Sequence, residues 1–151
     1  MLFYRRRLPH WHPDHVNIFL TWRLWGSLPS GTKTVALTPG QAFVEDDGAL
    51  DRDSLGPLWL KDSAIANSIA KAIQKGESER KFYHLHAWVV MPNHVHLLIL
   101  PKEPLPIITR WLKGSTARQA NQLLGRTGQP FWQNESLDRW VRNDREFEIL
   151  E

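Results

Sequence analysis

Apolar positions along this chain switch between a period of two and a period near 3.6, and the switches mark its elements. His15 to Leu24 (HVNIFLTWRL) is rich in aromatic and β-branched residues and predicts a first strand, ended by Gly26 and Pro29-Ser30-Gly31. Residues 32–57 hold no sustained period and repeat Gly, Pro and Asp, which predicts a long loop or insertion. From Lys61 to Lys75, Ile65, Ile69 and Ile73 recur every four residues beside Ala66 and Ala70. This predicts a helix, capped by Asp62 or Ser63 and closed by Gly76 at its C′ position. Phe82–Met91 and His94–Leu100 are apolar runs split by Pro92-Asn93, a hairpin pattern.

A second helix is predicted over Pro106–Leu124, with Ile108, Trp111, Leu112 and Ser115 on one side and Gly125 at its end. Gln129–Gln133 reads as a short strand, and Leu137, Trp140, Val141, Asp144 and Phe147 are spaced as a last helix. The order is β-α-β-β-α-β-α. It predicts an α+β fold, a ferredoxin-like split βαβ antiparallel sheet with helices packed on it and an added C-terminal helix.

Length allows one domain over residues 1–151, large enough to bury a core. Eight tryptophans and a hydrophobic content of 42% exclude a disordered chain. No apolar run approaches a membrane span, and the basic start Arg5-Arg6-Arg7 has no apolar region behind it, so neither membrane nor secretory targeting is expected. The absence of cysteine excludes disulfides and thiolate metal sites and fits a cytoplasmic protein. Net charge is only +3, but residues 80–143 carry nine basic side chains against three acidic ones. Such a field attracts phosphate backbones. The candidate phosphate contacts are Arg110, Lys113 and Arg118 on the second helix, with Arg5, Arg6 and Arg7 as an N-terminal arm.

The most informative stretch is Met91-Pro92-Asn93-His94-Val95-His96-Leu97-Leu98-Ile99-Leu100. Residues two apart in a strand point the same way, so His94 and His96 present neighbouring imidazoles on one face. Polar rings among apolar neighbours cost desolvation unless something uses them. Imidazole nitrogen suits borderline divalent metals, and two ligands leave coordination positions open to substrate. Two hydrogen-bonded strand histidines remain the alternative reading. A second pair, His84 and His86, competes. With Pro92-Asn93 as a two-residue loop, Val89 faces His96 and Ala87 faces Leu98. An undisturbed register then puts His84 and His86 on the opposite sheet face.

Trp88-Val89-Val90-Met91-Pro92-Asn93-His94-Val95-His96-Leu97-Leu98 resembles the His-hydrophobic-His signature of the single-tyrosine HUH transposases of insertion sequences. The REP-associated tyrosine transposases are the subgroup it resembles best. The likeness continues in Leu8-Pro9-His10-Trp11, Thr21-Trp22-Arg23-Leu24, Ser27-Leu28-Pro29, Gly56-Pro57-Leu58-Trp59-Leu60, Leu112–Arg118 with Asn121, and Phe131–Ser136. The resemblance implies Mg²⁺ or Mn²⁺ on His94 and His96, a scissile phosphate polarised by the ion, and attack by a tyrosine. It implies single-stranded or hairpin DNA as the partner, and a monomer or homodimer. It places the expected tyrosine at Leu137, which cannot serve as a nucleophile, so no catalytic residue is assigned. The chain's tyrosines are Tyr4 and Tyr83, and it ends at Glu151, shorter than such relatives.

The function expected is therefore DNA binding on a scaffold for metal-dependent strand cleavage and transfer in transposition. A domesticated or inactive DNA-binding protein is the alternative that Leu137 favours, and a water-using metal-dependent phosphoesterase is the third reading. Gln133, Asn134 and Asp138 are candidates for a further metal ligand. Trp22, Trp88 and Trp111 are expected in the core, and Trp11 and Trp25 are the candidates for base stacking.

Overall fold

The computed structural model describes residues 2–5, 9–12, 16–27 and 56–141, with side chains for residues 16–27 and 56–141. Two short strands, β1 (Leu2–Arg5) and β2 (Pro9–His12), pair antiparallel as a separate ribbon. The main sheet contains β3 (Ile18–Leu24), β4 (Tyr83–Val90), β5 (His94–Pro101) and β6 (Trp132–Trp140) in the order β4-β5-β3-β6. All three pairings are antiparallel. Helices α1 (Ser63–Ser78) and α2 (Leu105–Leu124) pack on one face. The split βαβ architecture is thus the predicted one.

Strand β3 is central and covered on both sides. Ile18, Leu20, Trp22 and Leu24 face the helices, while Phe19 packs against Leu98 on the opposite face. The helical side meets them with Ile65, Ile69 and Ile73 from α1 and with Ile108, Leu112 and Ala120 from α2. Asp62 caps α1, accepting hydrogen bonds from the amides of Ala64 (2.8 Å) and Ile65 (3.4 Å). Gly125 closes α2 in the left-handed conformation at φ 67°.

Three expectations need correction. Gly76 is not a C′ residue: α1 runs through it to Ser78. A Cβ there would collide with the Tyr83 hydroxyl, so glycine is present for close approach. Tyr83 is fully buried, donates to the Ile73 carbonyl at 2.5 Å, and its phenol is held well above its usual pKa by burial and then by Glu77.

The second correction concerns β4. Val89 pairs with His96 and Ala87 with Leu98 as predicted, but Leu85 pairs with Ile99, so one extra residue, His86, enters β4 as a bulge. The slip reverses the facing of everything before it. Tyr83 and Leu85 turn into the helix-covered core. His84, opposite Leu100, comes to the same sheet side as His94 and His96. His86 bonds Asn17 (Nε2 to Oδ1, 2.8 Å), and its ring lies 5.0 Å from that of His84. The second histidine pair is therefore not behind the first.

The third correction is at the C-terminal side. Residues 132–140 form a strand, where a short strand at 129–133 and a helix beginning at Leu137 were predicted. The open backbone edge of β3 needs a partner, and that pairing outweighs the 3.6-residue spacing of Leu137, Trp140 and Val141. Residues 142–151, on which the rest of the added helix was expected, lie outside the described residues, as do residues 32–55 of the expected loop.

Gly76→Ala separates the two roles of that residue. Helix propensity alone predicts a gain of up to about 1 kcal/mol. The steric conflict with Tyr83 predicts instead a loss of about 1–3 kcal/mol in urea unfolding. An unchanged or raised unfolding midpoint would contradict the close packing.

Candidate metal and nucleic-acid site

The hairpin turn at Pro92-Asn93 fixes where the histidine strand begins. The Pro92 carbonyl accepts from Leu60 (3.1 Å), the Asn93 carbonyl accepts from Leu24 (2.9 Å), and Met91 donates to the His94 carbonyl (2.8 Å). β5 then runs beside β3 with His94 opposite Arg23 and His96 opposite Thr21. His94 is fully buried and His96 half-buried, with ring centroids 4.8 Å apart and planes at 82°. The expected side-by-side presentation is what the sheet provides.

Both rings are oriented through the same nitrogen. His94 Nδ1 donates to Asn93 Oδ1 at 2.7 Å, and His96 Nδ1 lies 2.7 Å from Thr21 Oγ1. The amide oxygen of Asn93 can only accept, so it puts the proton of a neutral His94 on Nδ1 and leaves Nε2 as that ring's acceptor atom. The Thr21 hydroxyl can donate or accept, and it fixes the orientation of the His96 ring. Metal-binding histidines are commonly held this way by outer partners. The Phe19 ring stacks on His96 at 5.3 Å and 25°, limiting its rotation. Two imidazoles would leave most of the coordination shell of Mn²⁺ or Mg²⁺ to phosphate and water oxygens, which both ions prefer. Among the described residues no cluster of three or more His, Asp or Glu side chains is placed to hold an ion.

Asp138 pairs with Leu20, whose side chain faces the helices, so it is across the sheet from the histidines. Gln133 and Asn134 lie where β6 is irregular: Trp22 pairs with Ser136 but Leu24 with Trp132. Lys113 supports this stretch, donating to the carbonyls of Gln133 (2.6 Å) and Asn134 (3.0 Å) and to Ser136 Oγ (3.3 Å). An expected phosphate contact thus has its ammonium turned inward to backbone oxygens. Arg110 and Arg118 are exposed on α2, whose buried side faces the sheet, so they do not join the histidines. Arg5 lies in β1; its side chain, and Arg6 and Arg7 altogether, fall outside the described residues.

Leu137 pairs with Thr21, which pairs with His96 in turn. The three form one row across β6, β3 and β5, so Leu137 is on the histidine side, packed with Phe19, Leu98 and Val141. It is a strand residue rather than the first residue of a helix. Ser136 faces away, toward Lys113. Trp88 (37% exposed) is not the core residue expected, whereas Trp22 is buried and Trp25 is exposed. Asn93 and Thr21, which orient the two rings, were not among the residues expected at the site. Asn93 had a signal, an amide directly before the first histidine, but Thr21 required the β3–β5 register.

An antiparallel split βαβ sheet with paired imidazoles on the side opposite its helices is the arrangement that the histidine motif implied. The chain belongs to the IS200-like transposase family, whose model matches residues 59–139. Its fold resembles that of a REP-associated tyrosine transposase solved with a REP hairpin: TM-score 0.54, 20% identity, covering 99% of this chain and 68% of that one. It also resembles a protein described as a candidate transposase from Deinococcus radiodurans R1: TM-score 0.50, 16% identity, covering 96% of this chain and 93% of that one. No curated protein sequence matches the chain. No helix among the described residues is long and apolar enough to cross a membrane.

Lys113→Met distinguishes the inward role from phosphate binding. The inward role predicts a stability loss of about 1.5–3 kcal/mol, from charge-assisted hydrogen bonds left unmade, and an unchanged salt dependence of DNA binding. Unchanged stability with a log–log salt slope smaller by about 0.7 would mark Lys113 as a phosphate contact instead.

Proposed function

We propose that the chain binds single-stranded or hairpin DNA on its histidine-bearing side, where His94 and His96 would hold a divalent ion, Mn²⁺ or Mg²⁺. The observation that carries this reading is the matched anchoring of both Nδ1 atoms, by Asn93 and by Thr21. Two rings 4.8 Å apart with that orientation are suited to a shared ligand. When bound, the ion supplies Lewis-acid polarisation of a backbone phosphate. The chain's own residues orient the pair, and the apolar neighbours Phe19 and Leu98 limit water beside it. Family membership and the fold shared with a hairpin-bound transposase support DNA as the partner.

The described residues offer this site no tyrosine or serine. Tyr83 is in the core with its hydroxyl on Ile73, and Ser136 faces α2. Thr21 is engaged in orienting His96. A strand-cleaving hydroxyl is therefore to be sought outside the described residues or in water. Residues 16–27 and 56–141 constitute the binding and metal-holding part of a cleavage and strand-transfer scaffold. Arg110 and Arg118, across the sheet, are available to a different part of the DNA than the metal pair.

Mn²⁺ titration by electron paramagnetic resonance, combined with binding of labelled hairpin DNA and a denaturing gel, tests this. His94→Ala with His96→Ala should weaken Mn²⁺ more than about tenfold, since loss of outer partners alone costs metal sites that much. It should also remove the Mn²⁺-dependent part of DNA binding. Equal Mn²⁺ affinity in the variant, or a covalent DNA adduct mapped to Tyr83 or Ser136, would overturn the reading.

A further inference from the structure

A pocket of about 160 Å³ opens directly beside His96, lined by Phe19, Ala87, Trp88, Val89, His96 and Leu98, among others. We propose that it receives one unpaired nucleobase of the DNA strand whose phosphate is held at His94 and His96; this rests on the phosphate-and-metal reading of that pair. The pocket would make the protein read the nucleotide next to the metal-held phosphate, in addition to holding the backbone.

Register places Phe19, Leu98, Ala87, Val89 and His96 on one side of three adjacent strands. The lining is mostly apolar, with the stacked Phe19 and His96 rings forming part of it. His96 thus belongs to both the metal pair and the pocket. A phosphate at the first and a base from the same nucleotide or its neighbour at the second are a short covalent reach apart. The volume is well below the roughly 300–1,000 Å³ of sites for drug-sized ligands. It suits a single planar ring system and excludes a base pair, so the base must come from a single-stranded flank rather than a stem.

The rim supplies polar partners as well. β4 is an edge strand, and Met91 donates to the His94 carbonyl. Hydrogen bonding alternates along an antiparallel pair, so Val89 and Ala87 turn their backbone groups to β5 while Trp88 and Val90 turn theirs outward. Trp88 lines the pocket. A base lying on Ala87 and Val89 therefore meets an outward N–H and C=O at its edge, as an extended ligand does at any open sheet edge. The small side chain of Ala87, beside the His86 bulge, leaves the room.

The test uses the full chain with Mn²⁺ and a hairpin carrying a single-stranded flank, with an abasic site placed at each flank position in turn. One position should lower affinity by about five- to 150-fold, the equivalent of about 1–3 kcal/mol for one stacked base. Ala87→Leu, which fills the pocket, should bind intact DNA as weakly as abasic DNA and lose the penalty. Val89→Ser, at a position already 44% exposed and safe for folding, should reduce the penalty severalfold. A flank in which every abasic site is tolerated, or a full penalty retained in both variants, would overturn the pocket. Mn²⁺ affinity of the His94→Ala, His96→Ala chain, measured in parallel, reports separately on the metal site.

Discussion

The contact between Thr21 and His96 is the constraint on which the rest of the site depends. It exists because β3 and β5 pair in one register, with Thr21 opposite His96 and Arg23 opposite His94. A one-residue slip would turn both imidazoles into the helix-packed core, where no ligand could reach them. The apolar stripe Ile18, Leu20, Trp22 and Leu24 prevents that slip, since each of these side chains would lose its place against the helices. Hydrophobic burial on one face of β3 therefore sets the chemistry on the other.

His94 adds a second demand. A fully buried imidazole is costly unless it is hydrogen-bonded. Asn93 meets that need from the adjacent position, and its own backbone carbonyl is fixed by Leu24 at the end of β3. The hairpin turn, the central strand and the ring orientation are thus one unit. Irregularities are placed around this unit rather than within it. The bulge at His86 lets β4 bury Tyr83 against Gly76 while keeping Val89 opposite His96. On the other edge, the irregular stretch of β6 has its carbonyls taken up by Lys113.

Much of this was legible in the sequence. The period-two run through His94 and His96, the isoleucine repeat of α1 and the Gly125 stop of α2 each contain their own local signal, and local signals sufficed for the split βαβ order. What was not legible was non-local. Nothing near His86 announces a bulge, because the extra residue is decided by how Tyr83 and Leu85 pack against α1. β6 was misread because WQNESLDRW carries few strand-forming residues; its conformation comes from the open edge of β3. Lys113 looked like a free cation for the same reason, its partners being carbonyls some twenty residues away.

Both histidines are anchored at Nδ1, and the proposed ion site requires Nε2 of each ring as its ligand atom. Imidazole ¹⁵N correlation spectra, recorded with and without Zn²⁺ as a diamagnetic substitute, test it directly. Nδ1–H tautomers are expected for His94 and His96 in the metal-free protein, with a zinc-induced shift at Nε2 of both residues together. Nε2–H tautomers, or a shift confined to one ring or to Nδ1, would contradict it.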